Sequence, residues 1–230
     1  ASSPALEPGR NCWRIETAGA ATVVVDADDY FRLAREAMKL ARHQILLIGW
    51  DFDARIRLVH DNEDEAPGEV GGFIDWLVAN NPGLHVNILR WDAGAIKSLW
   101  RGRTIFTLAR WYLHKQIHLK LDHFHPTGAS HHQKIVVIDD ALAFCGGIDM
   151  TDDRWDTRGH RDKEPNRVEP GGKAYGPWHD ATTALSGPVA KALGELCRDR
   201  WTKAGGKPLP VPPASPSAWP EALPRAFRDC

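Results

Sequence analysis

The stretch His131 to Asp156, HHQKIVVIDDALAFCGGIDMTDDRWD, holds the residues best suited to chemistry. His132 and Lys134 stand two apart at the head of an apolar run. A strand alternates its side chains, so the two are predicted on the same side. An imidazole beside a fixed ammonium suits a phosphate better than a metal ion. The ammonium neutralises phosphoryl oxygens, and the imidazole attacks phosphorus or moves a proton. Asp139 lies beyond the IVVI run and is expected to be a structural acid that fixes the strand end. Gly146 and Gly147 allow close backbone approach or positive φ, and their N–H groups could form an anion-binding nest.

An isolated H-x-K is ordinary. His118-Leu119-Lys120 has the same spacing, but position 125 is His rather than Asp and no glycine pair follows, so it reads as plain strand. At His132 the pattern is longer. His132, Lys134, Asp139, Gly146 and Gly147 fit H-x-K-x4-D-x6-G-G, which closely resembles the signature of the phospholipase D superfamily. GWDFDARIRL, from Gly49 to Leu58, resembles the early strand pair of eukaryotic-type and related bacterial members. GGID followed by RWDT, Arg154 to Thr157, resembles the same branch. Asp149 stands where cardiolipin synthases typically carry Asn. PWHDATTALSGPVA, Pro177 to Ala190, resembles the strand and helix that close the first catalytic half. In relatives an acid there hydrogen-bonds the catalytic His, and Asp180 occupies the matching place. The similarity covers about residues 20–205.

The resemblance implies a phosphodiesterase whose site is built from two H-x-K halves. One His forms a phosphohistidine; the other protonates the leaving group and then activates water or an alcohol. The substrate would be the distal phosphodiester of a glycerophospholipid, hydrolysed or passed to an alcohol, with no metal or other cofactor needed for the chemistry. His132 is expected as nucleophile, Lys134 on the phosphate and Asp180 as orienter. Which of the two histidines attacks stays open from one half. This sequence holds one full motif, so it is expected to be an N-terminal half completed by a second half of the same parent chain or by a second copy. Single-motif relatives, mainly homodimeric endonucleases, are one alternative; a silent half serving as scaffold or membrane-surface module is another.

The expected partners are a phospholipid at a membrane surface and that second half. Lys+Arg 29 against Asp+Glu 30, a net charge of −1, does not favour nucleic acid. Six of the eleven histidines lie between His114 and His132. His123, His125 and His131 could supply some zinc ligands but show no HExxH pattern. His125 and His131 are read as rim residues of the phosphate site, and Trp155 and Trp178 as residues that line a substrate pocket or merely pack. Trp50, Trp76 and Trp201 lie in core-like patterns. The four cysteines are too sparse for a disulfide scaffold, and Cys145 and Cys197 read as core.

Positioning these groups requires an α/β domain, with a mixed, largely parallel sheet covered by helices on both faces. Residues 1–20 read as a mobile lead-in, 21–205 as the catalytic half and 206–230 as a proline-rich linker toward a missing second half. Strands are predicted at 21–25, 44–50, 55–59, 84–89, 117–124, 134–139, 141–144 and 181–185. The first helix should bury Phe31, Ala34, Met38 and Ala41. Further helices are predicted over 73–78, from about 90 to 115, and along Val189, Leu193, Leu196 and Trp201. The acidic stretch 61–72 reads as a surface loop, and 157–177 as a lid or a disordered segment. No apolar run is long enough to span a membrane, so a soluble or peripheral protein is expected.

Overall fold

The run QILLIG becomes β2 (Gln44–Gly49). Its side chains alternate between two cores, Ile45 and Leu47 in one, Leu46 and Ile48 in the other. A strand buried on both faces needs helices on both sides. The computed structural model, which describes residues 5–61, 64–91, 104–126 and 128–230, has that arrangement. Its sheet contains β1 (Ala20–Val25), β2, β3 (His85–Trp91), β4 (Ile117–Asp122), β5 (Ile135–Ile138), β6 (Leu142–Gly146), β7 (Ala181–Ser186) and β8 (Phe227–Arg228). Their order is β4-β3-β2-β5-β6-β7-β1-β8. Helices α1 (Ala27–Lys39), α2 (Val70–Asn80) and α3 (Thr104–Tyr112) contribute to the first core. Helix α4 (Pro188–Lys203) covers the other face through Ala190, Cys197 and Trp201. Among the described residues no helix is long and apolar enough to cross a membrane.

The α/β class, the mixed sheet and the helices on both faces agree with expectation, and Phe31, Ala34, Met38 and Ala41 are all buried. The expected majority of parallel pairs is corrected. Among the described strands only β2–β3 and β3–β4 are parallel; β2–β5, β5–β6, β6–β7, β7–β1 and β1–β8 are antiparallel. Connection length explains this. Parallel neighbours need a crossover of a dozen or more residues, and the segments carrying α2 and α3 supply the two in this sheet. Residues 55–59 form no strand, only an isolated bridge between Arg57 and Glu69. Helix α2 starts at Val70, inside the predicted loop, and β4 stops at Asp122. Of the predicted helix over 90–115, residues 92–103 lie outside the described residues, and β3 takes its first two positions.

The segment read as a linker packs on the domain instead. Trp219 and Leu223 enter the first core, Leu209 meets the second, and Phe227 pairs with Ala21. Apolar side chains among the prolines account for this. Arg14, in the predicted lead-in, pairs with Glu195 of α4, at a separation of 2.5 Å. The loop 157–177 folds around the buried Arg167. That guanidinium donates to Asp156 and to the carbonyls of Arg161, Asp162 and Tyr175.

Asp139 and Asp140 form the turn from β5 to β6, with φ of 51° and 53°. Both turn residues are left-handed, a conformation Asp tolerates better than most. Asp140 pairs with Arg198 of α4 at 2.8 Å. The Asp139 carboxylate accepts the N–H groups of Arg42 (2.7 Å), His43 (2.9 Å) and Gln44 (2.7 Å), tying the start of β2 to the end of β5. Asp139→Ala leaves those donors without their acceptor and is expected to cost about 3 kcal/mol. The urea midpoint at unchanged slope measures it; a loss under ~1 kcal/mol would show the anchor to be redundant.

Candidate active site

Strands β2 and β3 run parallel and end at Gly49 and Trp91. Strand β5 runs the other way, so the residues just before it stand beside those C-terminal ends, the usual place for ligands in open α/β sheets. His132 and Lys134 are these residues. The strand begins only at Ile135, so simple alternation does not place His132. Trp50, the first residue past β2, does so instead. The His132 ring lies edge-on to it at 5.9 Å between centroids, and the Lys134 Nζ sits 6.0 Å from the same ring. His132 is exposed, and its ring makes no hydrogen bond to the described residues.

Lys134 is buried and donates to the His132 carbonyl at 3.3 Å. Its ammonium meets Asp149 Oδ2 at 3.2 Å. The other Asp149 oxygen accepts from the backbone N–H of Trp50 at 3.0 Å and of Asp51 at 3.4 Å. Burial pushes the Asp149 carboxyl above the ordinary carboxylate range, against the downward pull of Lys134. Arg90, also buried, pairs with Asp51 alongside. Trp50 stacks on Trp91 at 5.6 Å; Trp91 meets His125 at 6.0 Å, and His125 meets His131 at 5.8 Å. The rings form one continuous row from His132 to His131. This arrangement offers an imidazole free to react and a cation held ready by a carboxylate.

A model of the family described as phospholipase D matches residues 37–215. The chain belongs to the phospholipase D family. Phospholipase D alpha 4 of Arabidopsis thaliana is 28% identical over 208 residues, covering 73% of this chain and 27% of that protein. Phospholipase D alpha 1 of Oryza sativa subsp. japonica is 29% identical over 240 residues, covering 81% and 30%. The chain thus spans less than a third of the length of these relatives. Among solved structures, the phospholipase D family member Nuc from Salmonella typhimurium is 16% identical with a TM-score of 0.46, covering 80% of this chain and 95% of that one.

The remaining positions of the phospholipase D signature divide by location. Asp139 closes the far end of β5, five residues from Lys134 and therefore about 16 Å away, out of reach of a phosphate held there. Gly146 and Gly147 serve close approach. A Cβ at Gly146 would stand 2.3 Å from the Thr182 Cα, and one at Gly147 would stand 2.1 Å from Asp180 Oδ1. Their N–H groups bond the carbonyls of Lys134 (3.3 Å) and Ala181 (2.9 Å), so the expected anion nest is replaced by strand pairing. The Asp180 carboxylate lies over Gly147 and accepts from Ala181 N at 2.7 Å. No hydrogen bond joins it to His132.

Trp155 is buried, bonding Asp28 through Nε1 at 3.2 Å, and Trp178 stacks under the Arg154 guanidinium at 4.4 Å. Neither is brought to His132. A cavity of about 850 Å³ is lined by Trp155, Arg55, Arg57, His60 and Tyr175 among others, but not by His132 or Lys134. His118 of the shorter H-x-K lies within β4, stacked on His85 at 6.0 Å. Trp50 is the residue that reading from sequence assigned to the core and the structure gives to the site. The signal was its place directly after β2, where the chain leaves the sheet.

Proposed function

We propose that this chain supplies one half of a two-histidine site that cleaves the distal phosphodiester of glycerophospholipids. The observation that carries the reading is the pairing, at one sheet end, of a His132 ring that makes no hydrogen bond to the described residues and a Lys134 ammonium fixed by Asp149. A His132 ring nitrogen attacks phosphorus and the bond to the head-group oxygen breaks. The second histidine, from the other half, gives that oxygen its proton. Lys134 neutralises the phosphoryl oxygens. Water or an alcohol then gives its proton to the second histidine and attacks phosphorus. The P–N bond breaks and His132 is restored. Asp180, resting over Gly147, is proposed to turn toward His132 and hold its tautomer when substrate and the second half are in place.

The test is rapid quenching into alkaline detergent of the enzyme carrying both halves, with phospholipid labelled at phosphorus. An acid-labile, base-stable label on the His132 peptide is expected. Turnover with the label only on the partner histidine would reassign His132 as acid/base. Cleavage of labelled DNA without phospholipid turnover would replace the lipid reading by a nuclease one.

A further inference from the structure

We propose a second site, separate from His132 and Lys134: Asp26, His160 and His179 bind one divalent transition-metal cation of the zinc class. Asp26 joins β1 to α1 and sits at the N-cap of α1, where an aspartate normally accepts from the helix's first N–H groups. Here it makes no cap bond. Its backbone takes φ of 65°, and its side chain, 1% exposed, turns to two histidines instead. Oδ1 is 2.8 Å from His179 Nδ1 and accepts from Asp180 N at 3.2 Å. Oδ2 is buried and makes no hydrogen bond, although His160 Nε2 stands 3.2 Å away. The three ligand atoms lie within 4.8 Å of one another.

The far nitrogen of His160 explains why a cation fits. His160 Nδ1 faces Asp156 Oδ2 at 3.0 Å. Asp156 is fully buried and already locked by Arg167 Nη1, Thr157 N and Trp178 N. A carboxylate held this firmly fixes the Nδ1–H tautomer and leaves the Nε2 lone pair aimed at the Asp26 oxygen. Carboxylate–histidine–metal triads are built in this way. Two imidazole nitrogens and one carboxylate oxygen are a zinc-type donor set, and the exposed side of His179 leaves room for a water ligand. The cation would join three separate pieces of chain: the β1–α1 junction, the loop 157–177 and the lead into β7. Asp26 N also donates to the Asp180 carbonyl at 2.8 Å, so the staple holds the strand end from which Asp180 projects.

The test is zinc binding to the chelator-stripped 230-residue chain, followed by calorimetry and by elemental analysis after gel filtration. One equivalent is expected, and Co2+ in its place should give the visible bands of a tetrahedral site. His160→Ala and His179→Ala should each weaken binding at least tenfold, while His85→Ala, on β3, leaves it unchanged. His179 is exposed, so its variant decides the matter even where His160→Ala folds poorly. Failure to retain an equivalent, or an affinity equal to the parent's in His179→Ala, would overturn the proposal. These readouts do not depend on phosphodiesterase activity.

Discussion

His132→Ala, in the enzyme that carries both histidines, is expected to lower kcat by at least ~10⁴-fold. Under the proposed covalent mechanism, removing the nucleophile removes the whole two-step path, and such single losses approach the loss of the entire constellation. The fold should hardly notice. His132 is exposed, its ring makes no hydrogen bond to the described residues and it touches Trp50 edge-on, so a stability change under about 1 kcal/mol is expected. That contrast separates a catalytic role from a structural one. Steady-state kinetics and a urea melt on the same variant check it. Loss of activity matched by loss of stability would point to packing, and retained turnover would remove His132 from the mechanism. Imidazole in the buffer should restore part of the rate, because the vacated space lies beside Lys134 and opens to solvent.

Much of this site was legible because it is local in sequence. His132, Lys134 and Asp149 lie within one short stretch, and the Lys134–Asp149 pair is made inside it. The turn at Asp139 and the glycine pair could be read as structural, yet the partners that make them so lie far off. Asp139 anchors Arg42 to Gln44, and Gly146 and Gly147 make room for Thr182 and Asp180. Spacing gives no register between distant strands, which is why the nest reading failed and why Trp50 went to the core. The sheet's direction was misjudged for a related reason. Alternating helices and strands suggest parallel order, but the short β5–β6 turn makes that pair antiparallel, and β5 also runs antiparallel to β2, which sets His132 and Lys134 beside the ends of β2 and β3. The proline-rich tail misled through composition, since its few apolar residues, Trp219 and Leu223, decide where it packs.

The buried pair behind the site should show the largest effect on stability. Asp149→Ala leaves the Lys134 ammonium buried without its carboxylate and leaves two backbone donors, at Trp50 and Asp51, without an acceptor. Breaking a buried pair from one side costs about 3–5 kcal/mol. Lys134→Met should cost a similar amount by stranding Asp149. The double variant Lys134→Met with Asp149→Leu should lose clearly less than the sum, because no lone charge remains. Additive losses would mean that the two groups do not depend on each other. The pH dependence has a definite sign. Burial raises the folded-state pKa of Asp149 above the unfolded carboxylate value. The folded protein therefore binds that proton more tightly, and the stability it confers is complete below the unfolded pKa and lost as pH rises through the folded one. Asp149→Asn carries no such proton, so the gap in urea midpoint between it and the parent should change across that window and stay flat above it. A parallel pair of curves would mean that burial is not what moves Asp149. The Asp149 carboxylate holds the Lys134 ammonium in place beside His132, and in the proposed mechanism a phosphate displaces that carboxylate as its partner.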